Sequence, residues 1–252
     1  DGDKTFYNIT YPLLKKHYIP ATIFVSPHII TAKENFWFQE IRYFDDLNFK
    51  KIISEYLSVE YDQIREYNIM HICKMLRLQQ IFKLIEIYKD RYQVSRHDSL
   101  NLNVGQIKDI LNEGLVSIGA HTLNHPVLSN EDDQISELEI CGSINGLKDL
   151  LGCEIKYFAY PNGIPEFDFG EREKNILKTT TCKLAFTTLH KSISLNCDPL
   201  SIPRYYISKG NLYTLRAKLF LGIYWDKIRG IKFKSEEKTR TELKKPMNTS
   251  VQ

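Results

Sequence analysis

Helix-like and strand-like segments alternate regularly from residue 103 onward, and this alternation constrains the fold more than any other feature of the chain. Residues 104–113 have helical spacing of apolar side chains and stop at Gly114, and the apolar run 115–120 follows as a strand. The pattern then repeats as helix from a capping box at Ser129–Asp132, strand 155–160, helix 171–179, strand 184–188 and an extended segment 202–207. Such alternation predicts a parallel sheet covered by helices, hence an α/β fold.

The helix that follows the capping box has a regular apolar face. Its members are Ile135, Leu138, Cys141, Ile144, Leu147 and Leu151, and Gly152 ends the helix. Because these positions recur at three- and four-residue intervals, we expect this face to pack on the sheet.

In the first hundred residues the apolar side chains follow a different pattern. A helix is predicted at 10–17 with Thr10 as its N-cap, and residues 19–26 are apolar on both faces, which is typical of a buried parallel strand. From about residue 36 to 100 apolar and aromatic residues recur at helical spacing, and there is no glycine between Gly2 and Gly105. We interpret this region as a helical insertion packed on the main body.

Two histidines follow the strand 115–120, four residues apart. His121 comes directly after the strand, and His125 precedes Pro126, which biases it away from helix and toward a loop. Functional side chains gather at the carboxyl ends of parallel strands, and two imidazoles there suit a divalent metal. The alternative is one buried, hydrogen-bonded histidine and one solvated one. The turn at residues 160–163, which follows the next strand, favours the metal site.

The charge and the cysteine content limit the classes of function that the chain could have. The net charge of +3 over 252 residues gives no indication of nucleic-acid binding. The five cysteines form no C-x-x-C pair and are expected to be reduced thiols, which favours a reducing compartment. No membrane span or signal peptide is visible, although the chain opens on Asp1 rather than Met. We therefore expect a cytoplasmic protein, or one peripheral to the inner membrane, whose N-terminus is missing.

The C-terminal part shows one more amphipathic helix. Residues 212–228 combine a basic face with an apolar one, which predicts either a helix that caps the body or, over 212–225, a contact with a membrane surface or a lipid-linked substrate. Residues 235–252 are polar and lack periodicity, so a disordered tail is predicted. The organisation predicted for the chain is thus one domain, 1–234, followed by a tail.

Five segments in this order resemble the polysaccharide deacetylases, the NodB-type domain of carbohydrate esterase family 4. They are Asp1-Gly2, residues 21–26, residues 119–126 with both histidines, the Phe-Ala-Tyr-Pro-Asn-Gly turn at 158–163, and residues 185–188. The resemblance extends from residue 1 to about 207. It implies a distorted (β/α) barrel of about seven parallel strands and the metal-dependent removal of an acetyl group from an amino sugar.

The resemblance also implies roles for individual residues. Asp1 would bind the metal together with His121 and His125, and the catalytic base would be the residue before Asp1. At the turn that includes Tyr160, the backbone N–H of Asn162 is the candidate donor to an oxyanion. The arginine that usually orients the base is absent from this turn, and Arg204 is a candidate replacement. His190 is a candidate general acid.

The function expected from the sequence is a metal-dependent carbohydrate N-deacetylase. The ligand set of one carboxylate and two imidazoles suits Zn²⁺, with Co²⁺, Mn²⁺ or Ni²⁺ as alternatives. The expected substrate is an N-acetylhexosamine in a bacterial cell-surface glycan or in a lipid-linked precursor, and the oligomeric state is left open. One alternative is a sugar- or metal-binding barrel that has lost its base. A zinc peptidase is disfavoured because Thr122, not Glu, follows the first histidine.

Overall fold

Helices alternate with parallel strands along most of the chain. The structure, a computed structural model, describes residues 1–205, 210–220 and 237–243. The strands are β1 (Ala21–Val25), β2 (Val116–Ala120), β3 (Tyr157–Ala159) and β4 (Leu184–Phe186). The helices are α1 (Tyr11–His17), α2 (Pro27–Ala32), α3 (Trp37–Glu40), α4 (Asp46–Leu57), α5 (Tyr61–Ile64), α6 (Ile69–Cys73), α7 (Leu78–Tyr92), α8 (Val104–Asn112), α9 (Asp133–Leu151), α10 (Glu171–Lys178), α11 (Leu212–Phe220) and α12 (237–243).

The four strands form one parallel sheet in the order β1-β2-β3-β4. Its register pairs Val25 with Ala120 and Ala159 with Phe186, so the carboxyl ends of all four strands lie along one edge. Ile202 extends the sheet by a single parallel bridge to Phe186. The predicted α/β fold with a parallel sheet is confirmed, and within the described residues the sheet is open and has four named strands.

Two clusters of buried apolar side chains stabilise the chain. The first joins the sheet to the helices around it and includes Ile118, Ile144 and Phe158. The second lies among helices α3 to α7 and includes Phe49 and Leu84. The region 36–100 therefore has its own helical core beside the sheet.

The inward face of α9 is more polar than the apolar periodicity predicted. Ser136, Glu139 and Ser143 are buried, whereas Leu138 is 56% exposed and Cys141 is half-buried. The predicted face was therefore wrong at several positions. Apolar spacing alone misplaced it, because buried polar side chains on this helix are stabilised by hydrogen bonds that the spacing does not reveal.

Two predicted helix caps were also wrong. Asp132 caps α9 by accepting from the backbone N–H of Ile135 at 3.0 Å, whereas the hydroxyl of Ser129 donates to the carbonyl of Phe167 at 2.6 Å. Thr10 is no cap either, because a π-helical turn (Phe6–Thr10) precedes α1 and gives Thr10 helical dihedral angles. At α9 the nearby Asp132 has the stronger position for the cap, whereas at α1 the backbone is already helical before Thr10, so that no cap is needed there.

Seven residues of the predicted disordered tail, 237–243, form a helix, and the rest of the segment 235–252 lies outside the described residues. Within this helix Arg240 and Leu243 are fully buried. Arg240 forms an ion pair of 2.7 Å with the buried Asp168, and it donates to the carbonyl of Lys74 at 3.3 Å. Leu243 packs in the second cluster. Helix α12 therefore ties the helical insertion to the loop before α10.

Only part of the predicted helix 212–228 can be compared with the structure. Leu212–Phe220 is helical, with Leu212, Tyr213 and Phe220 exposed, and residues 221–228 lie outside the described residues. Among the described helices, none has the length and apolar character needed to cross a membrane.

Removing one partner of the buried Arg240–Asp168 pair should be costly. We expect Arg240→Ala to lower the free energy of unfolding by about 3–5 kcal/mol, because it leaves the Asp168 carboxylate buried without its counter-charge. Chemical denaturation measures this loss. Lys238→Ala on the same helix is the control, since Lys238 is 78% exposed and should cost less than about 0.5 kcal/mol. Equal losses in the two variants would show that the buried pair does not fix α12.

Candidate metal centre at the carboxyl edge of the sheet

Asp1, His121 and His125 meet at the carboxyl edge of the sheet. The Asp1 Oδ1 atom lies 2.9 Å from His121 Nε2 and 3.9 Å from His125 Nε2. One candidate ligand atom from each residue lies within 4.8 Å of the other two. Both imidazoles are buried, and the Asp1 side chain is 44% exposed. One carboxylate and two imidazoles, facing one point with an open side, fit a divalent metal of the zinc type.

The imidazole of His121 is oriented by the neighbouring strand. Its Nδ1 atom donates to the carbonyl oxygen of Ala159, the last residue of β3, at 2.6 Å. A carbonyl only accepts, so the proton is on Nδ1 and the lone pair of Nε2 faces Asp1. Burial lowers the pKa of His121 to about 3, and it lowers the pKa of His125 well below its usual value. Both rings are therefore neutral near pH 7, as metal ligands must be.

The loop between the two histidines is held in a strained conformation. Thr122 has φ = 60° and His125 has φ = 61°, in the left-handed region that costs a β-branched residue most. The Thr122 hydroxyl donates to the carbonyl of His121 at 2.6 Å and accepts from the backbone N–H of His125 at 3.0 Å. Strain of this kind costs on the order of 1–3 kcal/mol per residue and persists where surrounding bonds fix it. Here those bonds turn both rings toward Asp1.

A buried carboxylate on α9 anchors the same loop. Glu139 accepts from the backbone N–H groups of Leu123 and Asn124, at 2.9 and 2.8 Å, and from the Asn124 side-chain amide at 2.7 Å. Glu139 is 3% exposed, and its burial raises the pKa of the carboxyl group, while the bonds from Asn124 oppose that shift. Glu139 was not predicted as a site residue, because it lies on the helix that follows the histidine loop and stands between apolar positions.

Asp1 is positioned by the backbone that follows it. Gly2 has φ = 76°, and a Cβ at this position would lie 3.1 Å from a methyl group of Val25. The carbonyl of Gly2 accepts from the N–H of Leu102 at 2.7 Å, and Asp3 forms an antiparallel bridge with Asn101. These contacts set Asp1 beside the carboxyl end of β1. Asp1 therefore lies beside His121 and His125, the two residues with which it was predicted to bind a metal.

The helical insertion supplies one wall of the site. The indole Nε1 of Trp37 donates to the carbonyl of His125 at 2.9 Å, and the ring of Phe38 lies 4.8 Å from the His125 ring. An open cavity of about 400 Å³ adjoins the three candidate ligands. Its other lining residues are Trp37, Phe38, Arg42, Met70, Lys74, Tyr160, Asn162, Thr188 and Arg204. This volume is in the range of small-molecule sites.

The turn after β3 lines the opposite side of the cavity. Asn162 and Gly163 both have positive φ, 57° and 73°, which asparagine and glycine tolerate best. A Cβ on Gly163 would lie 2.9 Å from the carbonyl of Tyr160, so glycine is required there. The hydroxyl of Thr188 donates to the carbonyl of Asn162. Within the described residues the backbone N–H of Asn162 has no partner, which leaves it available to a ligand.

The other predicted site residues are placed differently. The Tyr160 ring is buried and stacks on Phe169 with a centroid distance of 3.5 Å, and its hydroxyl donates to the carbonyl of Leu200, so the side chain is part of the core. Arg204 lines the cavity with its Nε donating to the carbonyl of Thr187 at 2.7 Å, and burial lowers the pKa of its guanidinium. His190 is not among the described residues that line the cavity.

We expect Glu139→Gln to weaken zinc binding by about tenfold or more, because the new amide would present N–H groups to the N–H donors of the 121–125 loop. A zinc titration against a competing chelator measures the change, and near-ultraviolet circular dichroism checks that the fold is kept. Glu137→Gln is the matched control, since Glu137 is exposed on the same helix. Equal zinc affinities in the two variants would remove Glu139 from the support of the centre.

The buried imidazoles also predict how stability depends on pH. His121 stays neutral in the folded protein down to about pH 3 but protonates near pH 6.5 in the unfolded chain, so between these values the unfolded state binds more protons. His121 should therefore lower the free energy of unfolding of the chelated protein by up to about 1.4 kcal/mol per pH unit as the pH falls through this range.

Urea denaturation at about pH 7, 6 and 5 measures this slope. His121→Asn keeps a donor for the Ala159 carbonyl but does not titrate, so its slope should be shallower than that of the wild type. Parallel slopes in the two proteins would contradict a buried, neutral His121.

Comparison with known proteins shows which family the chain belongs to and which solved folds it is similar to. The model of the polysaccharide deacetylase family matches residues 1–180. The deacetylase PplD of Streptococcus pyogenes, solved in complex with acetate, is similar at a TM-score of 0.52 with 20% identity, over 82% of this chain and 61% of that one. A de-N-acetylase from Aggregatibacter actinomycetemcomitans is similar at a TM-score of 0.51 with 14% identity, over 86% of this chain and 71% of that one.

Because the solved structures are less than 25% identical to this chain, they support its fold only, whereas the family model shows which family it belongs to. The BpsB deacetylase domain of Bordetella bronchiseptica is a further similar structure, at a TM-score of 0.50 with 12% identity, over 81% of this chain and 67% of that one. The chain spans 61% of the Streptococcus pyogenes chain. The search of curated proteins returned no match. The family model covers well over half of the sequence and confirms the resemblance seen in its motifs: this chain belongs to the polysaccharide deacetylase family.

Proposed function

We propose that this protein is a metal-dependent carbohydrate N-deacetylase that hydrolyses the acetamide of an N-acetylhexosamine in a polysaccharide or a glycolipid precursor. The observation that carries the proposal is the cluster of Asp1, His121 and His125 at the mouth of a cavity of about 400 Å³. Family membership supports carbohydrate deacetylation as the reaction class. The cavity is large enough for a sugar, and its ligand set suits Zn²⁺.

Different groups around the centre can serve different steps of amide hydrolysis. A bound divalent ion would polarise the acetamide carbonyl and lower the pKa of a coordinated water. The backbone N–H of Asn162, without a partner in the described chain, can donate to the oxygen that becomes negative when water attacks. This N–H is preorganised because Asn162 and Gly163 are locked by the Thr188 hydrogen bonds.

A basic group must accept the proton of the attacking water. By the family pattern this is the residue before Asp1, and we propose that Arg204 orients it. The guanidinium of Arg204 lines the cavity and uses one N–H for the Thr187 carbonyl. Its other donors face no carboxylate within 4.0 Å among the described residues, which fits a guanidinium that pairs with a catalytic carboxylate or with substrate.

The rival function is a sugar-binding barrel without catalysis. Such a protein would keep the cavity and the aromatic wall of Trp37 and Phe38 but would release no acetate. Sugar binding measured by calorimetry, together with the absence of acetate release, would favour this rival.

We expect the full-length zinc-loaded protein to release acetate from an N-acetylglucosamine polymer and to lose this activity with a chelator. His125→Ala should lower zinc occupancy by about tenfold or more and lower acetate release to the same extent, because it removes one of three candidate ligands. His17→Ala, at an exposed position on α1, is the control. Zinc content measured by mass spectrometry and an acetate assay give the two readouts.

Restoring the chelated enzyme with Zn²⁺, Co²⁺, Mn²⁺ or Ni²⁺ in turn identifies the preferred ion. Acetate release that is unaffected by chelation, or zinc content that is unchanged in His125→Ala, would overturn the metal-dependent mechanism.

A further inference from the structure

The cavity beside the metal centre is lined by more cations than anions. Arg42, Lys74 and Arg204 line it, and Asp1 supplies the one carboxylate among its described lining residues. A divalent ion held by Asp1 would make the cavity still more positive. A cleft with one sign of charge and apolar walls concentrates ligands of the opposite charge.

Arg42 differs from most of the other cations of the helical insertion. Within 4.0 Å of a carboxylate lie the side-chain nitrogens of Lys50, Arg65, Arg77, Lys83, Lys89, Arg91 and Arg96. The part of the chain that the structure describes offers no such carboxylate to Arg42, which is exposed and lies on the short 3₁₀ turn after α3. Arg42 contacts an aromatic ring instead, because its guanidinium carbon lies 5.9 Å from the centroid of Phe38.

The position of Arg42 sets what it can touch. The Phe38 ring contacts both Arg42 and the candidate metal centre, because its centroid lies 5.9 Å from the Arg42 guanidinium carbon and 4.8 Å from the ring of His125. Arg42 forms no ion pair with the Asp1 carboxylate. An acetamide at the metal therefore leaves Arg42 to contact a different group of the sugar, or the next sugar along. The planar guanidinium donates two parallel hydrogen bonds to phosphate or carboxylate oxygens, which neutral hydroxyl groups do not match.

We propose that the substrate is an acetylated amino sugar that carries an anionic group, a phosphate or a carboxylate, near its acetamide, and that Arg42 is a specificity-determining residue that binds this group. The proposal rests on the deacetylase function and narrows its substrate class. The alternative is that Arg42 is a solvated surface arginine, in which case its loss changes no substrate preference.

The test uses N-acetylglucosamine oligosaccharides of equal length that are neutral, phosphorylated or carboxymethylated. KM and kcat for acetate release are measured with the zinc-loaded full-length protein and with Arg42→Gln. We expect the wild type to have a KM about tenfold lower for an anionic oligosaccharide than for the neutral one, and Arg42→Gln to bring the ratio of these two KM values close to one.

Arg65→Gln is the matched control, because Arg65 is an exposed arginine of the same insertion that pairs with Asp62 and does not line the cavity. A preference for the phosphorylated or for the carboxymethylated oligosaccharide identifies the group. Equal KM values for neutral and anionic sugars, or an anionic preference that survives Arg42→Gln, would overturn the proposal and leave the deacetylase function standing.

Failure of the deacetylase function itself is a separate outcome. If none of the oligosaccharides releases acetate, calorimetric titration of the same sugars into wild type and Arg42→Gln still decides the point. Tighter binding of an anionic sugar by the wild type, lost in the variant both with zinc and after chelation, supports Arg42 as its binding residue. Equal binding by both proteins contradicts it.

Discussion

The candidate metal centre depends on one hydrogen bond across the carboxyl edge of the sheet. His121 Nδ1 donates to the carbonyl of Ala159 at 2.6 Å, and this bond exists because the parallel register ends β2 and β3 at the same level. It fixes the tautomer, so that Nε2 presents a lone pair to Asp1. Without it, a buried imidazole would have a free choice of tautomer and of ring orientation. The fold therefore determines the protonation of the ligand as well as its position.

The loop that contains the ligands is stabilised by groups that are themselves costly to bury. The carboxyl group of Glu139 loses its hydration on burial, and three N–H groups of the loop compensate by donating hydrogen bonds to it. Left-handed backbone at Thr122 and His125 adds further cost. A loop assembled in this way has few alternative conformations, because each change would leave a buried polar group unsatisfied. As a result, both imidazoles are held in fixed positions.

The sequence predicted the strands and the three candidate ligands because their signals are local. Apolar runs, a histidine pair and an Asp-Gly pair are each visible within a few residues. The partners of these residues were not predictable in the same way. Glu139 acts on Asn124 from 15 residues away, and Arg240 meets Asp168 across 72 residues. Nothing in the local pattern around Arg240 distinguishes a buried ion pair from a solvated charge, so the polar C-terminal residues were predicted to be disordered.

The sheet and the helical insertion contribute different residues to the site. The candidate ligands and the Asn162 turn belong to the strand ends, whereas the insertion brings Trp37 and Phe38 against His125 and places Arg42 beside the cavity. Helix α12 in turn fixes the insertion, because Arg240 bonds both Asp168 and the backbone of Lys74. The insertion therefore supports the ligand His125 as well as lining the cavity. The buried Arg240 pair, which joins this insertion to the loop before α10, contributes indirectly to the placement of that ligand.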